Sequence, residues 1–367
     1  MKRWGVVALF AVGVFASNGG SAQAAAESGT PEVAGTVPKC EGDKQYGTAA
    51  AKVTTYLDGG SSYTYRYGDG SMTMTIGQPP DGFQPEKASD GELAQYGFPP
   101  RPANEKGLRE WGELMSSYKS AAPPVACEGA VPPSLDNSSQ VEYETKYAKG
   151  WSGYVAESVP APHRFVAVRG NFYEPSGNAY ASCKSNALVS NWVGLGGRNT
   201  ERLIQTGTGV ATNDVHSAWF AEVSGASYYQ VNFPELAFGA GSFMEFYAGY
   251  NLAESKAYFY LENGSTGQTI PVVAPLGSKF YDGSTAESIT ERPGNGAGGK
   301  YPLLNFNYMT WWNVTVQDEL NYVYEMEALI HSRLVMTNTG TSTGTLLANP
   351  GGLSVGQNYP NTYYGCQ

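Results

Sequence analysis

The second part of the chain, from Trp151 onward, consists of short apolar runs that are separated by turn residues. The runs at 243–247 and 256–261 alternate imperfectly between apolar and polar residues, as half-buried strands do. No helical period interrupts them, so this region predicts an all-β fold, an antiparallel β-sandwich of two packed, curved sheets. The predicted strands span residues 163–173, 187–194, 202–206, 215–223, 227–233, 242–250, 255–262, 268–274, 285–291, 303–316, 321–326 and 331–337.

The region upstream of the sandwich predicts a small α+β N-terminal segment. Residues 61–76 alternate in two arms, which is typical of a hairpin. Ser89 and Glu92 have the spacing of a capping box, and they begin a short helix that Gly97 ends. Asn104 begins a second helix. The apolar stripe of this second helix comprises Leu108, Trp111, Leu114, Met115 and Tyr118.

The chain begins with the features of a secretory signal peptide: a basic start at Lys2 and an apolar core at 4–16. That apolar run is too short to span a bilayer and no later run is longer, so we expect a secreted, extracellular protein without a membrane anchor. Proline-rich residues then mark a linker before the sandwich. The predicted organisation is a signal peptide at 1–26, an N-terminal segment and candidate propeptide at 27–123, a linker at 124–147 and the β-sandwich domain at 148–367.

Composition excludes some partners. The formal net charge is −10 and charged residues make up only 15%, so the chain lacks the basic surface that nucleic-acid binding requires. The carboxylates of an acidic chain approach neutrality near pH 4, which is compatible with work in acid.

The secreted route allows disulfides, and four cysteines permit three pairings that the sequence cannot distinguish. We expect Cys40 to pair with Cys127 and Cys183 with Cys366. Because no Cys-x-x-Cys pair occurs, we expect no metal site and no cofactor.

Several common hydrolytic mechanisms lack their signatures. There is no Gly-x-Ser-x-Gly, and His163, His216 and His331 do not form an HExxH motif. A Ser–His–Asp site that is assembled in space stays open, although no serine stands out.

Carboxylate and amide chemistry remains. Residues 286–294 predict a strand on which Glu287 and Glu291 share one face. Glutamates on an inward face are costly unless they are paired or used, whereas an outward face would leave both in water. Gln205 lies on another predicted strand, just before Gly207, either as a plain ladder residue or as a functional amide.

Six short motifs follow one another in the second part of the chain, at residues 151–154, 192–197, 203–207, 218–220, 261–268 and 286–293. Each is weak alone. In this order they resemble the eqolisin, or glutamic peptidase, family of secreted, acid-acting endopeptidases, and the resemblance covers about residues 148–350. It implies a concanavalin-like β-sandwich peptidase domain that acts as a monomer on polypeptide substrates.

The resemblance also implies roles for particular residues. Gln205 and Glu291 match the catalytic pair: Glu291 would take a proton from water and return it to the leaving amine, and Gln205 would stabilise the oxyanion. Four aromatic residues would bind an extended peptide, with sandwich core as their alternative role. They are Trp151, Trp192, Trp219 and Phe220.

This chain departs from the fungal members of the family. Gly196 and Ala221 stand where those members carry acidic residues, and Glu222 would face the opposite side of a regular strand. Ser288 replaces a bulky aromatic residue. Such losses bear on substrate preference and pH optimum more than on reaction type. The region before Pro123 resembles the upstream segment of bacterial relatives, and whether it is removed stays open.

Two other classes of protein fit the same sequence. A secreted β-sandwich carbohydrate-binding module would use Tyr and Trp as a stacking platform and would not need Gln205 or Glu291. A glycoside hydrolase would pair Glu287 or Glu291 with a second carboxylate and would tolerate a change at Gln205. A catalytically weak eqolisin relative is a further alternative.

Overall fold

The computed structural model describes residues 52–67, 71–102, 105–119, 127–129, 145–157, 164–177, 185–295, 298–354 and 359–366. The predicted signal peptide and most of the predicted linker lie outside these residues. So do Cys40 and Cys183, and both disulfides therefore stay predictions. The described residues belong to one folded unit, Glu32–Gln367.

Strands dominate the described residues. The two helices are α1 (Asp90–Gln95) and α2 (Glu105–Ser116). The strands are β1 (Lys52–Thr55), β2 (Ser61–Tyr67), β3 (Met72–Gln78), β4 (Cys127–Gly129), β5 (Thr145–Ala148), β6 (Trp151–Glu157), β7 (Phe165–Tyr173), β8 (Leu188–Gly196), β9 (Arg202–Ala211), β10 (Val215–Ser224), β11 (Ser227–Asn232), β12 (Phe243–Asn251), β13 (Lys256–Asn263), β14 (Gln268–Ala274), β15 (Thr285–Glu291), β16 (Tyr308–Asp318), β17 (Val323–Glu325), β18 (His331–Thr337), β19 (Leu346–Pro350) and β20 (Tyr359–Tyr363). The predicted all-β class is confirmed.

The strands form one continuous hydrogen-bonded ladder. Its order is β1, β2, β3, β14, β13, β12, β7, β16, β20, β19, β18, β6, β15, β8, β9, β10, β11 and β4, with β17 beside β16 and β5 beside β18. The pairing of β5 with β18 is parallel, and the other pairings between these strands are antiparallel. The sequence predicted two separate sheets. In the structure, β19 and β20 join the two layers along one edge, so the sheet is continuous.

The ladder folds back so that its two halves pack face to face. Phe220 of β10 stacks on Phe259 of β13 with 4.7 Å between ring centroids. At Gly170 of β7, a Cβ atom would lie only 3.2 Å from Val193 of β8. Side chains alternate along each strand, so one face of every central strand enters this main core and the other face is left for a second set of contacts.

The N-terminal segment is part of the same fold. β3 pairs with β14, and the hairpin of β2 and β3 sends Tyr67, Met74 and Ile76 into the main core. The capping box of Ser89 and Glu92 is present. On α2 the predicted stripe is buried at Trp111, Leu114 and Met115, whereas Leu108 is 41% exposed, so its prediction as a packing residue is wrong. Among the described residues, no helix is long and apolar enough to cross a membrane.

Candidate active site

The cross-strand register brings Gln205, Glu287 and Glu291 to one face of the layer that contains β6, β15, β8, β9 and β10. Directly opposed residues of antiparallel strands lie on the same face, so they form rows across the layer. Three rows matter here, and each is given in the strand order β10, β9, β8, β15 and β6. The Gln205 row is Ala221, Gln205, Gly194, Glu287 and Val155. The Trp192 row is Trp219, Gly207, Trp192, Ile289 and Gly153, and the Glu291 row is Ser217, Gly209, Ser190, Glu291 and Trp151.

Glycines keep the centre of this face open. Gly207 and Gly209 follow Gln205 on β9 and carry no side chain between it and the Glu291 row. A Cβ atom at Gly209 would lie 3.1 Å from the Ser217 hydroxyl oxygen. The result is a small pocket that both Gln205 and Glu291 line. The structure therefore brings the two predicted catalytic residues to one pocket.

The carboxylate of Glu291 is held by an indole. Trp192 Nε1 donates a hydrogen bond of 2.7 Å to Glu291 Oε2. Trp192 is fully buried and Glu291 is 2% exposed. Trp151 packs edge-on against Trp192 with 5.0 Å between ring centroids. This packing fixes the indole and leaves the other carboxylate oxygen of Glu291 to other partners.

Gln205 is a buried amide rather than a surface ladder residue. It lies in the middle of β9, between Gly194 of β8 and Ala221 of β10, and is 1% exposed. Its Oε1 atom accepts no hydrogen bond from the described residues. An amide with an unused acceptor in a pocket can present its NH₂ group to a ligand.

The four predicted aromatic residues have different positions. Trp219 lines the pocket, and Trp192 and Trp151 lie on the same face and support Glu291. Phe220 does not reach this face: it is fully buried in the main core against Phe259. Neighbours on a strand face opposite sides, so Phe220 cannot join Trp219, and its prediction as a substrate-binding residue is wrong.

Sequence reasoning missed the polar groups of β11. Tyr228 and Gln230 line the pocket beside Trp219. The Tyr228 hydroxyl donates to Gln230 Oε1, and Gln230 Nε2 donates to Asn232 Oδ1 at 2.8 Å. The alternation of polar residues at 228, 230 and 232 indicates that they share one face of a strand. It does not show what that face borders; the pairing of Gln230 with Ala221 places these three side chains next to Gln205.

The structure explains two of the departures from the fungal pattern. Gly196 has a φ of 90°, and a Cβ atom there would lie 2.3 Å from the Arg202 carbonyl oxygen, so the local backbone excludes a carboxylate. Glu222 follows a regular register and points away from Gln205. It is fully buried in the main core, where the Tyr67 hydroxyl donates to both of its oxygens at 2.9 Å. Burial raises the pKa of Glu222 to about 8.

This contact predicts the effect of a substitution in the N-terminal segment. Tyr67→Phe should lower the free energy of unfolding by about 1–3 kcal/mol, because it leaves a buried carboxyl group without its donor. Urea titration at acid pH measures the change. Tyr63→Phe is the matched control, since it removes a hydroxyl that bonds Gln78 on the half-buried part of the same hairpin. Equal stability of Tyr67→Phe and wild type would show that the contact contributes nothing.

A cluster of one histidine and two carboxyl groups lies on the other face, at the start of β10. His216 Nδ1 is 3.1 Å from Glu174 Oε1, and His216 Nε2 is 3.3 Å from Asp214 Oδ1. Burial alone would lower the pKa of His216, but the two carboxylates outweigh it and raise that pKa. No described group of His, Cys, Asp or Glu side chains has the geometry of a metal site.

The Peptidase A4 family model matches residues 149–348. None of the curated proteins that were compared matches the chain. Among solved structures, scytalido-glutamic peptidase bound to a transition state analog inhibitor is 18% identical; the alignment covers 59% of this chain and 100% of that chain, with a TM-score of 0.48. SCP-B, an eqolisin bound to the tripeptide Ala-Ile-His, is 18% identical with the same coverage and a TM-score of 0.46. Both scores lie below 0.5, so the assignment rests on the family model. Because that model spans more than half of the chain, the protein belongs to the peptidase A4, or eqolisin, family.

Proposed function

We propose that this family member is a secreted endopeptidase that hydrolyses polypeptides in acid with Gln205 and Glu291. The observation that carries the proposal is that both side chains line one pocket, where Trp192 holds the Glu291 carboxylate. The pocket is formed by strands on both sides of β9, which suits a substrate that binds in an extended conformation.

Hydrolysis without a covalent intermediate requires a base, an oxyanion donor and an acid. Glu291 takes a proton from water as the water attacks the scissile carbonyl, and it then gives a proton to the leaving amine. The Gln205 NH₂ group donates to the oxyanion of the tetrahedral intermediate. An amide does not titrate, so this donor is present at every pH at which Glu291 can act.

A glycoside hydrolase that uses Glu287 and Glu291 as its carboxylate pair is disfavoured by the same geometry. Glu287 and Glu291 are four residues apart on β15, which separates their Cα atoms by about 13 Å. Glu287 is also fully buried and does not line the pocket. Pairs of carboxylates that cleave glycosides lie about 5–9.5 Å apart on either side of the sugar.

Buried carboxyl groups support an acidic workplace. Burial raises the pKa of Glu222 to about 8, and burial together with nearby Glu245 raises that of Glu262 to about 7. Burial also raises the pKa values of Glu174 and Glu287. A neutral buried carboxyl group costs far less than a buried charge, so this core suits a protein that works where carboxylates are protonated.

Stability should therefore decrease as the pH rises. In the unfolded chain such a carboxyl group loses its proton at about pH 4.5. In the folded state, where its pKa is raised, it keeps the proton up to that raised pKa. Its contribution is complete below about pH 4.5 and decreases by about 1.4 kcal/mol per pH unit above it. The raised pKa of His216 acts in the same direction at higher pH.

Urea unfolding at about pH 4.5, 6 and 7.5 measures this dependence. We expect the free energy of unfolding to decrease across the series. Glu222→Gln, which cannot ionise, should decrease less steeply than wild type. A free energy of unfolding that increases with pH over this interval would contradict the assignment of neutral buried carboxyl groups.

The proposed activity is tested with wild-type protein and a reduced, alkylated protein substrate from about pH 2 to about pH 7. We expect internal peptide bonds to be cleaved in acid, with products identified by mass spectrometry. Folded protein that cleaves no peptide bond in this range, but binds or cleaves a polysaccharide, would support the carbohydrate alternatives instead.

A further inference from the structure

The buried carboxyl group of Glu287 lies in the same cross-strand row as Gln205, and one glycine, Gly194, separates them. In the Gln205 row, Gly194 lies directly between Gln205 and Glu287. Two cross-strand steps separate their Cα atoms by about 10 Å, and both side chains project from the same face. No side chain stands between them, because the residue in between is a glycine.

Both side chains end in polar atoms without a hydrogen bond from the described residues. These atoms are Gln205 Oε1 and both carboxyl oxygens of Glu287. Glu287 is fully buried and Gln205 is 1% exposed. The Thr285 hydroxyl, the next side chain on that face of β15, lies near the Glu287 carboxyl group and opposes the rise of its pKa, although it is not in ordinary hydrogen-bond geometry with it. Unpaired polar atoms at this depth are uncommon, and two sets of them in one row suggest that they belong together.

The chemistry of the two groups is complementary. Burial raises the pKa of Glu287 well above its ordinary value. The Thr285 hydroxyl and the charge of Arg198 oppose this rise, and the charges of Asp282 and Glu157 add to it. Glu287 therefore carries a carboxyl O–H at the proposed working pH. That O–H is a donor, and Gln205 Oε1 is an acceptor.

We propose that Glu287 is a positioning residue whose neutral carboxyl group donates a hydrogen bond, directly or through one buried water, to Gln205 Oε1 across Gly194. This contact turns the Gln205 nitrogen toward the pocket, where the oxyanion forms. The inference rests on the proposed function, since it assigns a partner to the amide of the Gln205–Glu291 pair.

The identity of residue 194 fits this role. A Cβ atom at Gly194 would lie 3.1 Å from Gln205 Cβ and 3.0 Å from the Trp192 ring. Such a Cβ would also lie 2.9 Å from the Ile204 carbonyl oxygen, so a larger residue would crowd Gln205 and would disturb the indole that holds Glu291.

Two substitutions at Glu287 in the full chain separate positioning from simple core packing. Glu287→Gln keeps the shape and a donor, so kcat should stay within about threefold of wild type. Glu287→Met keeps a similar volume but removes the donor, so kcat should fall about 100-fold with little change in KM. A Glu287→Met, Gln205→Ala double variant should lose no more than Gln205→Ala, because both changes remove the same oriented donor.

The inference is overturned if folded Glu287→Met keeps wild-type kcat, or if Glu287→Gln and Glu287→Met lose activity equally. A structure of the wild type at high resolution gives an answer that does not depend on folding of the variants or on activity. It should place a Glu287 oxygen, or a water bonded to it, within about 3.2 Å of Gln205 Oε1. If such a structure shows neither of these contacts, the inference is also overturned. If the contact is present but the wild type is inactive, the result counts against the proposed function alone.

Discussion

Replacing Glu291 with glutamine should lower kcat on a peptide substrate by at least about 1000-fold, because it removes the only group in this account that takes a proton from water and returns one to the amine. The substitution preserves the size of the side chain and an oxygen that can accept from Trp192 Nε1. We therefore expect the variant to fold and to bind substrate with a similar KM.

Initial rates at about pH 4 measure this effect, with urea unfolding as the check on folding. Glu254→Gln is the matched control. It removes a carboxylate of the same kind in the turn between β12 and β13, where Glu254 is partly exposed, pairs with Lys256 and does not line the pocket. A Glu291→Gln variant that retains more than about a tenth of wild-type kcat would remove Glu291 from proton transfer.

Replacing Gln205 with alanine should lower kcat by about 100- to 1000-fold, the usual effect of losing one oxyanion donor. The side chain is buried in the middle of β9, so truncation leaves a small cavity in the sheet layer. KM should change little, since the donor acts on charge that develops only in the transition state.

The control for this substitution is Gln317→Ala. Gln317 lies on β16, on the other layer, and its amide donates to Asn321. It should keep wild-type kcat. A loss that appears in KM alone for Gln205→Ala would show that the amide binds the substrate equally before and during reaction, and so does not stabilise the oxyanion.

The main strands were predictable because their apolar runs carry the signal of a half-buried sheet. Residues 285–291 were predicted as a strand and form β15 with the same bounds. β6 was missed because Ser152 and Gly153 interrupt its apolar pattern, and β20 because Pro360 does the same. Proline and glycine argue against a strand locally, but pairing with β15 and β16 outweighs that preference.

The site was predictable only as separate residues. Alternation along one strand shows that Glu287 and Glu291 share a face, and that Trp219 and Phe220 do not. It does not show which face borders the pocket. Phe220 was assigned to the pocket together with Trp219 from the family resemblance, although alternation places the two on opposite faces. The Gln205 row and the polar ladder of β11 depend on register between strands, which hydrophobic alternation in one strand does not determine.

The N-terminal segment also has a role that its sequence did not reveal. Its described part adds a strand to the edge of the sandwich at β14 and supplies Tyr67 to Glu222 in the main core. Removal of that part would take Met74 and Ile76 out of the main core and expose the core surface that they cover. Whether processing removes any of residues 27–123 stays a prediction, which the mass of the protein before and after acid exposure tests.

The most direct test of the Gln205–Glu291 pair compares four proteins in one assay: wild type, Glu291→Gln, Gln205→Ala and the double variant, each with an unfolded protein substrate at about pH 4. We predict acid cleavage by wild type, losses of about 100-fold or more in each single variant, and a double variant that is less impaired than the product of the two losses, because both groups serve one transition state. Wild-type rates from either folded single variant would contradict the account.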